Sequence, residues 1–353
     1  MFSGVENLKK ICLSLFLVFF FSACSSTPGS SKSGPTSPGG KSIGNLMFSP
    51  KTGRFEYIGR TNKDENEYSI GTINGSTYKT TTRTLENFLN YGVTDNFSVG
   101  LNLDYQSSDI TVNSQSQSSL DADTNNRGLR NLGLDTNYQL LGSGFFSIDL
   151  NVQAKLKLDE IKRSSSYTNT SGNNTSSVNG NAWDSNELGA KLSIGYDNED
   201  NPGIKLSCGY IKVLAADITI LKGDPSISSD PDLLIHSDAV SALNYGIKMD
   251  WHWFSFFTFG LGYEQINIPE INGSFKFASD PTINNTIKDT SHYIQDVNVN
   301  VKVLFGSSIM LKYDADWISK SSYEEVLSGL TNDSSTINQN LDVRQVFSLY
   351  LTF

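Results

Sequence analysis

From Phe146 to Asp159 the chain alternates without a break: Phe146, Ile148, Leu150, Val152, Ala154, Leu156 and Leu158 are apolar, and every residue between them is polar. A period of two places the whole apolar set on one face of an extended strand, which no helix does. The pattern recurs at Phe97–Tyr105, Leu132–Leu140, Leu188–Tyr196, Ile204–Tyr210, Leu243–Trp251, Phe257–Tyr263, Val297–Phe305, Ile309–Trp317 and Leu341–Phe353. Two weaker stretches, Arg54–Arg60 and Thr80–Tyr91, bring the total to about twelve strands.

The connections alternate too. Short turns are expected at Gly92–Asn96, Leu141–Gly144, Asp197–Gly203, near His252–Phe254 and at Gly306–Ser308. Long polar loops are expected at Thr61–Thr77, Ser107–Arg130, Glu160–Asn186, Leu214–Ala239, Ile266–Ser291 and Ser319–Gln339. Short turns on one rim and long loops on the other are the arrangement of an outer-membrane barrel, whose short side is periplasmic. The reading is an all-β transmembrane antiparallel up-and-down barrel over residues 53–353, with both barrel ends periplasmic and the long loops outside.

Composition agrees. Only 37% of the 353 residues are hydrophobic, yet 20 Phe, 15 Tyr and 29 Gly are present. Disorder depletes aromatic residues, and a helical membrane bundle needs apolar runs of about 20 residues. A net charge of −10 argues against a nucleic-acid partner. Aromatic girdles are expected at Phe97, Tyr138, Phe146, Tyr196, Trp251, Phe257, Phe305 and Phe353 on one rim, and at Tyr105, Tyr210, Tyr263, Tyr293 and Trp317 on the other. The competing architecture is a soluble sandwich or barrel whose apolar face is a core.

Residues 1–23 read as a signal peptide: Lys9 and Lys10 precede the apolar run from Ile11 to Phe21, too short to span as a helix. Phe21-Ser22-Ala23-Cys24 resembles the lipobox of bacterial lipoproteins, with Phe21 where Leu is usual, which implies acylation of Cys24. The alternative is ordinary cleavage near Ala23. Residues 24–52, rich in Ser, Gly and Pro, read as a tether anchored in membrane lipid. At the other end Phe347, Leu349, Leu351 and Phe353 resemble the signature read by the outer-membrane barrel-assembly machinery, which implies that machinery as a partner.

The opposite strand face supplies the interior. The candidate pore-lining residues are Asp149, Lys155, Lys157, Lys191, Glu264, Asp296, Lys302, Lys312, Asp314, Asp316 and Arg344, with Asp104, Asp135, Asn151, Glu187, Lys205, Lys248, Asp250 and Asn298 on the same face. Opposed charges in a pore set a transverse field that selects what permeates; the same residues also serve as ion pairs that close an interior. Gly100, Gly189, Gly195, Gly209, Gly246, Gly260 and Gly262 at inward positions are expected to leave space. About twelve strands imply a narrow pore.

Leu89-Asn90-Tyr91-Gly92-Val93-Thr94-Asp95-Asn96 and the strand that follows resemble the hairpin of outer-membrane transporter-like proteins of the meta-pathway phenol-degradation family. GLDTNYQLL from Gly133 and QAKLKLD from Gln153 are similar to its next hairpin, although Asp159 stands where the family often has Pro. The resemblance covers about residues 53–158 and implies passage of small organic, including aromatic, molecules.

Chemistry is otherwise sparse. His236, His252 and His292 form no recognisable triad, Asp314 with Asp316 is the one same-face acidic pair at the outer rim, and Asp121-Ala122-Asp123 lacks the glycine and closing Glu of a calcium loop. No nucleotide or zinc motif is present, so neither enzyme activity nor a cofactor is expected. A passive channel for a small-molecule permeant is the favoured function; a plugged barrel that displays its loops is the alternative. With no polar seam on the apolar face, a monomer is expected.

Overall fold

A strand in lipid must satisfy every backbone donor and acceptor within the protein, and a sheet achieves this only by closing on itself. The computed structural model does so. It describes residues 50–70, 77–113, 121–143, 146–158, 162–168, 180–181, 185–197, 202–220, 233–254, 256–277, 280–306, 308–328 and 333–353. Among these the strands are β1 (Phe55–Ile70), β2 (Thr77–Thr94), β3 (Phe97–Asn113), β4 (Asp121–Ser143), β5 (Phe146–Lys157), β6 (Lys162–Thr168), β7 (Gly180–Asn181), β8 (Glu187–Tyr196), β9 (Gly203–Val213) and β10 (Ala216–Ile220). They continue as β11 (Leu233–Ser237), β12 (Val240–Phe254), β13 (Phe257–Ile268), β14 (Ile271–Phe277), β15 (Asp280–Asp289), β16 (His292–Phe305), β17 (Ile309–Lys320), β18 (Tyr323–Ser328) and β19 (Asp333–Thr352).

Twelve of them, β1 to β5, β8, β9, β12, β13, β16, β17 and β19, pair antiparallel in that order. β19 returns to β1 from Glu56↔Thr352 to Ile70↔Ile337, so the ring is closed. Twelve strands about 4.8 Å apart, tilted by roughly 40°, give a backbone diameter of about 24 Å. Long inward side chains occupy much of that interior.

The remaining strands correct the expected loops. β3 runs on to Asn113, and β4 begins at Asp121. β6 and β7 extend from β4, and β10, β11, β14, β15 and β18 pair in series up to β19. Backbone pairing does not depend on side-chain polarity, whereas hydrophobic alternation marks only the part of a strand that faces lipid. The expected turn at His252–Phe254 is strand as well, bulged between those two residues, and β4 continues to Ser143. The signal, the tether and Cys24 lie outside the described residues.

The packing is inverted relative to a soluble protein. Among the described residues only Ile235, Ala242, Met310 and Val346 are buried apolar ones, against 21 buried polar or charged ones. Leu206, Leu243, Leu311 and Phe347 are about half exposed on the outer face. A soluble sandwich would show the reverse. Tyr138, Tyr196, Phe305 and Phe353 are exposed on the short-turn rim, and Tyr105, Tyr210, Tyr293 and Trp317 on the other. Phe97 to Tyr105 is eight residue steps, or about 26 Å of strand and roughly 20 Å along the membrane normal.

The entry to the barrel explains one stretch of sequence. Gly53 donates its backbone N–H to Gly92 O at 2.8 Å, and the Thr52 hydroxyl donates to Asp95 Oδ1, also at 2.8 Å. A Cβ on Gly92 would meet the carbonyl oxygens of Pro50 and Lys51. The Tyr91-Gly92…Asp95 hairpin is thus the seat of the incoming chain.

Candidate functional site: a charged cavity inside the barrel

The inward positions of neighbouring strands fall on shared hydrogen-bonded rows. Glu86, Arg60, Ser348, Lys312 and Lys302 occupy one row across β2, β1, β19, β17 and β16. Further toward the long-loop rim, Asp64, Arg344, Asp316 and Asn298 occupy another across β1, β19, β17 and β16. From these rows Glu86, Arg60, Lys312, Arg344, Asp316 and Asn298, with Lys248 on β12 and Glu264 on β13, border a cavity of about 230 Å³.

Its lining is held by ion pairs. Arg344 donates from Nε to Asp316 Oδ2 at 2.6 Å and from Nη2 to Asp296 Oδ2 at 2.7 Å, clamping two carboxylates across three strands. Asn298 donates to Asp314 at 3.1 Å and also to Asp316. Lys312 pairs with Asp314 at 2.7 Å, and Arg60 with Glu86 at 3.2 Å. Glu264 takes hydrogen bonds from Lys191 at 3.0 Å and Asn244 at 2.9 Å. Arg60 Nε and Asp296 Oδ1 are buried with no hydrogen-bond partner among the described residues. A polar lining with free donors and acceptors suits water or a polar solute.

Of the residues expected to line a pore, Glu264, Asp296, Lys312, Asp314, Asp316 and Arg344 border this cavity. Lys191 reaches it through Glu264. The others sit elsewhere in the interior: Asp149 is buried, Lys155 stands 3.8 Å from Glu187, Lys157 holds the next inward position on β5, and Lys302 pairs with Asp250 where both are almost fully buried. Arg60, Asn62 and Glu86 were not anticipated. They lie on β1 and β2, where Thr61 and Asn87 face outward while Ile58 and Phe88 face inward, which erases the alternation.

Gly262 borders the cavity, but three of the other inward glycines correct an expectation. A Cβ on Gly100 would strike Asn90, one on Gly209 would strike Asn244, and one on Gly260 would come within 2.6 Å of Asn300 Oδ1 and strike Asp250. These positions therefore seat neighbouring side chains flat against the wall rather than opening the lumen.

A second cluster lies near the short-turn rim. His252 Nε2 is 3.0 Å from Asp197 Oδ1, and its Nδ1 is 3.0 Å from Thr258 Oγ1. These residues, distant in sequence, form a chain that residue spacing did not reveal. Thr258 is 2% exposed, so its hydroxyl braces the barrel end and is closed to a substrate. Asp121–Asn125 belongs to β4, paired to β3 and β6, instead of forming a loop. Cys208 is a free, exposed thiol on β9. Phe347 and Phe353 face outward on β19; the Phe347 ring packs on Tyr313 at 4.7 Å, and the Phe353 backbone exchanges hydrogen bonds with Phe55 at the closure.

No protein-family model matches the chain, and no characterised protein matches it in sequence. In structure it is similar to an outer membrane channel from Pseudomonas putida F1, with a TM-score of 0.51 at 10% identity over 88% of this chain and 98% of that one. It is equally similar to the transport unit of the autotransporter AIDA-I from Escherichia coli, with a TM-score of 0.51 at 10% identity over 88% and 92%. What the chain shares with both is the fold, a closed antiparallel β-barrel of the outer-membrane kind.

Proposed function

We propose that the protein is a bacterial outer-membrane channel through which small polar solutes pass passively, with the cavity beside Arg60, Lys248, Asp314 and Arg344 as the narrowest part of the path. The observation that carries this reading is a cavity bordered by charges of both signs inside a barrel whose outer face is apolar. Ions sealed in a dry interior are costly, whereas ions along a wet passage stay solvated and select by charge. In this reading the short turns and both barrel ends are periplasmic, and the long hairpins face outward. Cys24 is acylated, the segment from Phe347 to Phe353 is read during assembly, and the barrel works as a monomer.

A second reading is a closed scaffold that displays its hairpins; the buried Lys302–Asp250 pair and the Lys191–Glu264 bridge favour it. Planar-bilayer recordings of the refolded protein separate the two. The channel reading predicts discrete conductance that becomes more cation-selective in Lys248→Glu and more anion-selective in Asp314→Asn. Silent bilayers from a heat-modifiable, β-rich barrel, beside a working control porin, would support the scaffold.

A further inference from the structure

The outer surface of β1 to β4 changes chemistry within one residue pair. Thr61, Leu85, Tyr105 and Leu129 share a hydrogen-bonded row there, continued onto β19 by Phe347. Leu85, Tyr105 and Phe347 are exposed. The next outward row toward the long-loop rim is Lys63, Arg83, Ser107 and Arg127. Arg83 and Arg127 are exposed, and no described residue engages either side chain in an ion pair or hydrogen bond. Lys63 meets Glu65 at 2.6 Å, in an exposed pair of little energy. Lys63 stands directly opposite Arg83, and Arg83 is two strand spacings, about 10 Å, from Arg127. Like charges directly opposed across a ladder are destabilising, so the row favours an anion laid along it. Acids come one row further from the apolar band, at Glu65 and Asp109.

Beneath Lys63 and Arg83 the same surface is hollowed. An apolar cavity of about 510 Å³ opens on it, bordered by Tyr57, Gly59, Leu85, Tyr313, Phe347 and Leu349. Gly59 contributes no side chain, and Tyr57 leans toward β2, where its hydroxyl donates to Asn87 Oδ1 at 2.8 Å. The Tyr313 and Phe347 rings, packed at 4.7 Å, form the far wall. Thr61 and Leu85 border the hollow and stand two residues from Lys63 and Arg83 on their own strands. An apolar hollow adjoining a row of cations, at the level where the apolar band ends, matches a lipid with a phosphorylated head. The row is longer than one phosphate group, which points to a head carrying two.

We propose that this face holds a phosphorylated glycolipid of the outer leaflet. Its phosphates lie along Lys63, Arg83, Ser107 and Arg127, and an acyl chain fills the hollow beside Leu85 and Phe347. The guanidinium groups give the phosphates paired, charge-assisted hydrogen bonds, and the Ser107 hydroxyl adds a donor between them. The inference rests on the proposed orientation, with the long hairpins outside, and is independent of conduction.

Native mass spectrometry of the refolded full chain in detergent, titrated with diphosphorylated lipid A, counts the bound lipid directly. The expected result is one saturable adduct that dephosphorylated lipid A and phosphatidylglycerol each displace poorly, since one lacks the charge and the other the second phosphate. Arg83→Glu with Arg127→Glu should weaken the adduct by about tenfold or more. Leu85→Trp, which fills the hollow and keeps the cations, should also weaken it, while Lys155→Gln leaves it unchanged. Heat-modifiable migration establishes that each variant is folded. Absence of a saturable adduct, equal affinity in the folded double variant or in folded Leu85→Trp, or equal displacement by either competitor overturns the proposal. Labelling of Asp109→Cys by an impermeant thiol reagent on intact cells, against its Cys208→Ser parent, reads the orientation by itself. Labelled cells without lipid A binding remove the site and keep the orientation; lipid A binding with unlabelled cells overturns the outer-leaflet assignment.

Discussion

The ammonium of Lys191 lies 3.0 Å from the carboxylate of Glu264, although β9 and β12 stand between the strands that carry them. The pair is therefore a chord across the curved wall, and it occupies space inside the barrel. Both side chains keep about a quarter to a third of their exposure, so the bridge contributes little stability, under about 1 kcal/mol. Lys191→Gln should leave unfolding by urea almost unchanged while raising single-channel conductance, by about twofold for a bridge in a narrow passage. Loss of stability without a change in conductance would make the bridge a structural strut.

Lys302 and Asp250 behave differently, because their side chains are 7% and 1% exposed. Removing one partner strands the other charge, so Lys302→Met should destabilise the barrel by about 3–5 kcal/mol. Removing both, in Lys302→Met with Asp250→Asn, should recover most of that loss. Urea titration of the barrel in lipid vesicles measures both, and an additive double variant would contradict the pairing.

Leu206 is 51% exposed on the outer face of β9. If that face meets lipid, Leu206→Arg costs about 2–4 kcal/mol in vesicles, the range for a cation near the bilayer midplane. A change within about 0.5 kcal/mol, as on a soluble surface, would return the chain to the soluble alternative.

Outside the membrane band, His236 on β11 bonds through Nδ1 to Asp217 on β10 at 2.6 Å, and Asp238 lies 3.3 Å from its other ring nitrogen. The hydrogen bond to Asp217, together with the charge of both carboxylates, holds the imidazole pKa above its ordinary 6.5. A folded pKa above the unfolded one means that the stabilisation is fully present below the unfolded value and is lost as pH rises through the folded value. Amide exchange in the β10–β11 hairpin should therefore quicken from just above pH 6.5 upward, beyond the intrinsic rise in exchange rate. His236→Gln should remove that extra step, and its persistence would assign it to another group.

The barrel was legible because lipid imposes a period of two on every spanning strand, as the run from Phe146 shows. Legibility failed where lipid stops imposing it. β1 and β2 carry Thr61 and Asn87 outward and Ile58 and Phe88 inward, so Arg60 and Glu86 were hidden although both border the cavity. The hairpin extensions pair through a backbone ladder that needs no apolar alternation, and their Ser, Thr and Asn residues read as loops. Which charges meet across the lumen depends on closure and register: Lys191 lies 73 residues from Glu264, and His252 lies 55 from Asp197. No local spacing encodes those meetings. Gly100, Gly209 and Gly260 misled for a related reason, since the gap each leaves is filled by a side chain of a nearby strand, whereas Gly262 does border the cavity.

The central claim is that solutes pass through the cavity beside Arg344 and Asp316. Asn298 borders it from β16 and hydrogen-bonds both Asp314 and Asp316. In a Cys208→Ser background, Asn298→Cys should react with a small, membrane-impermeant sulfonate thiol reagent during a bilayer recording. The account predicts stepwise partial block and a shift toward cation selectivity, reversed by reductant. Complete modification with an unchanged current would place the ion path elsewhere and contradict it.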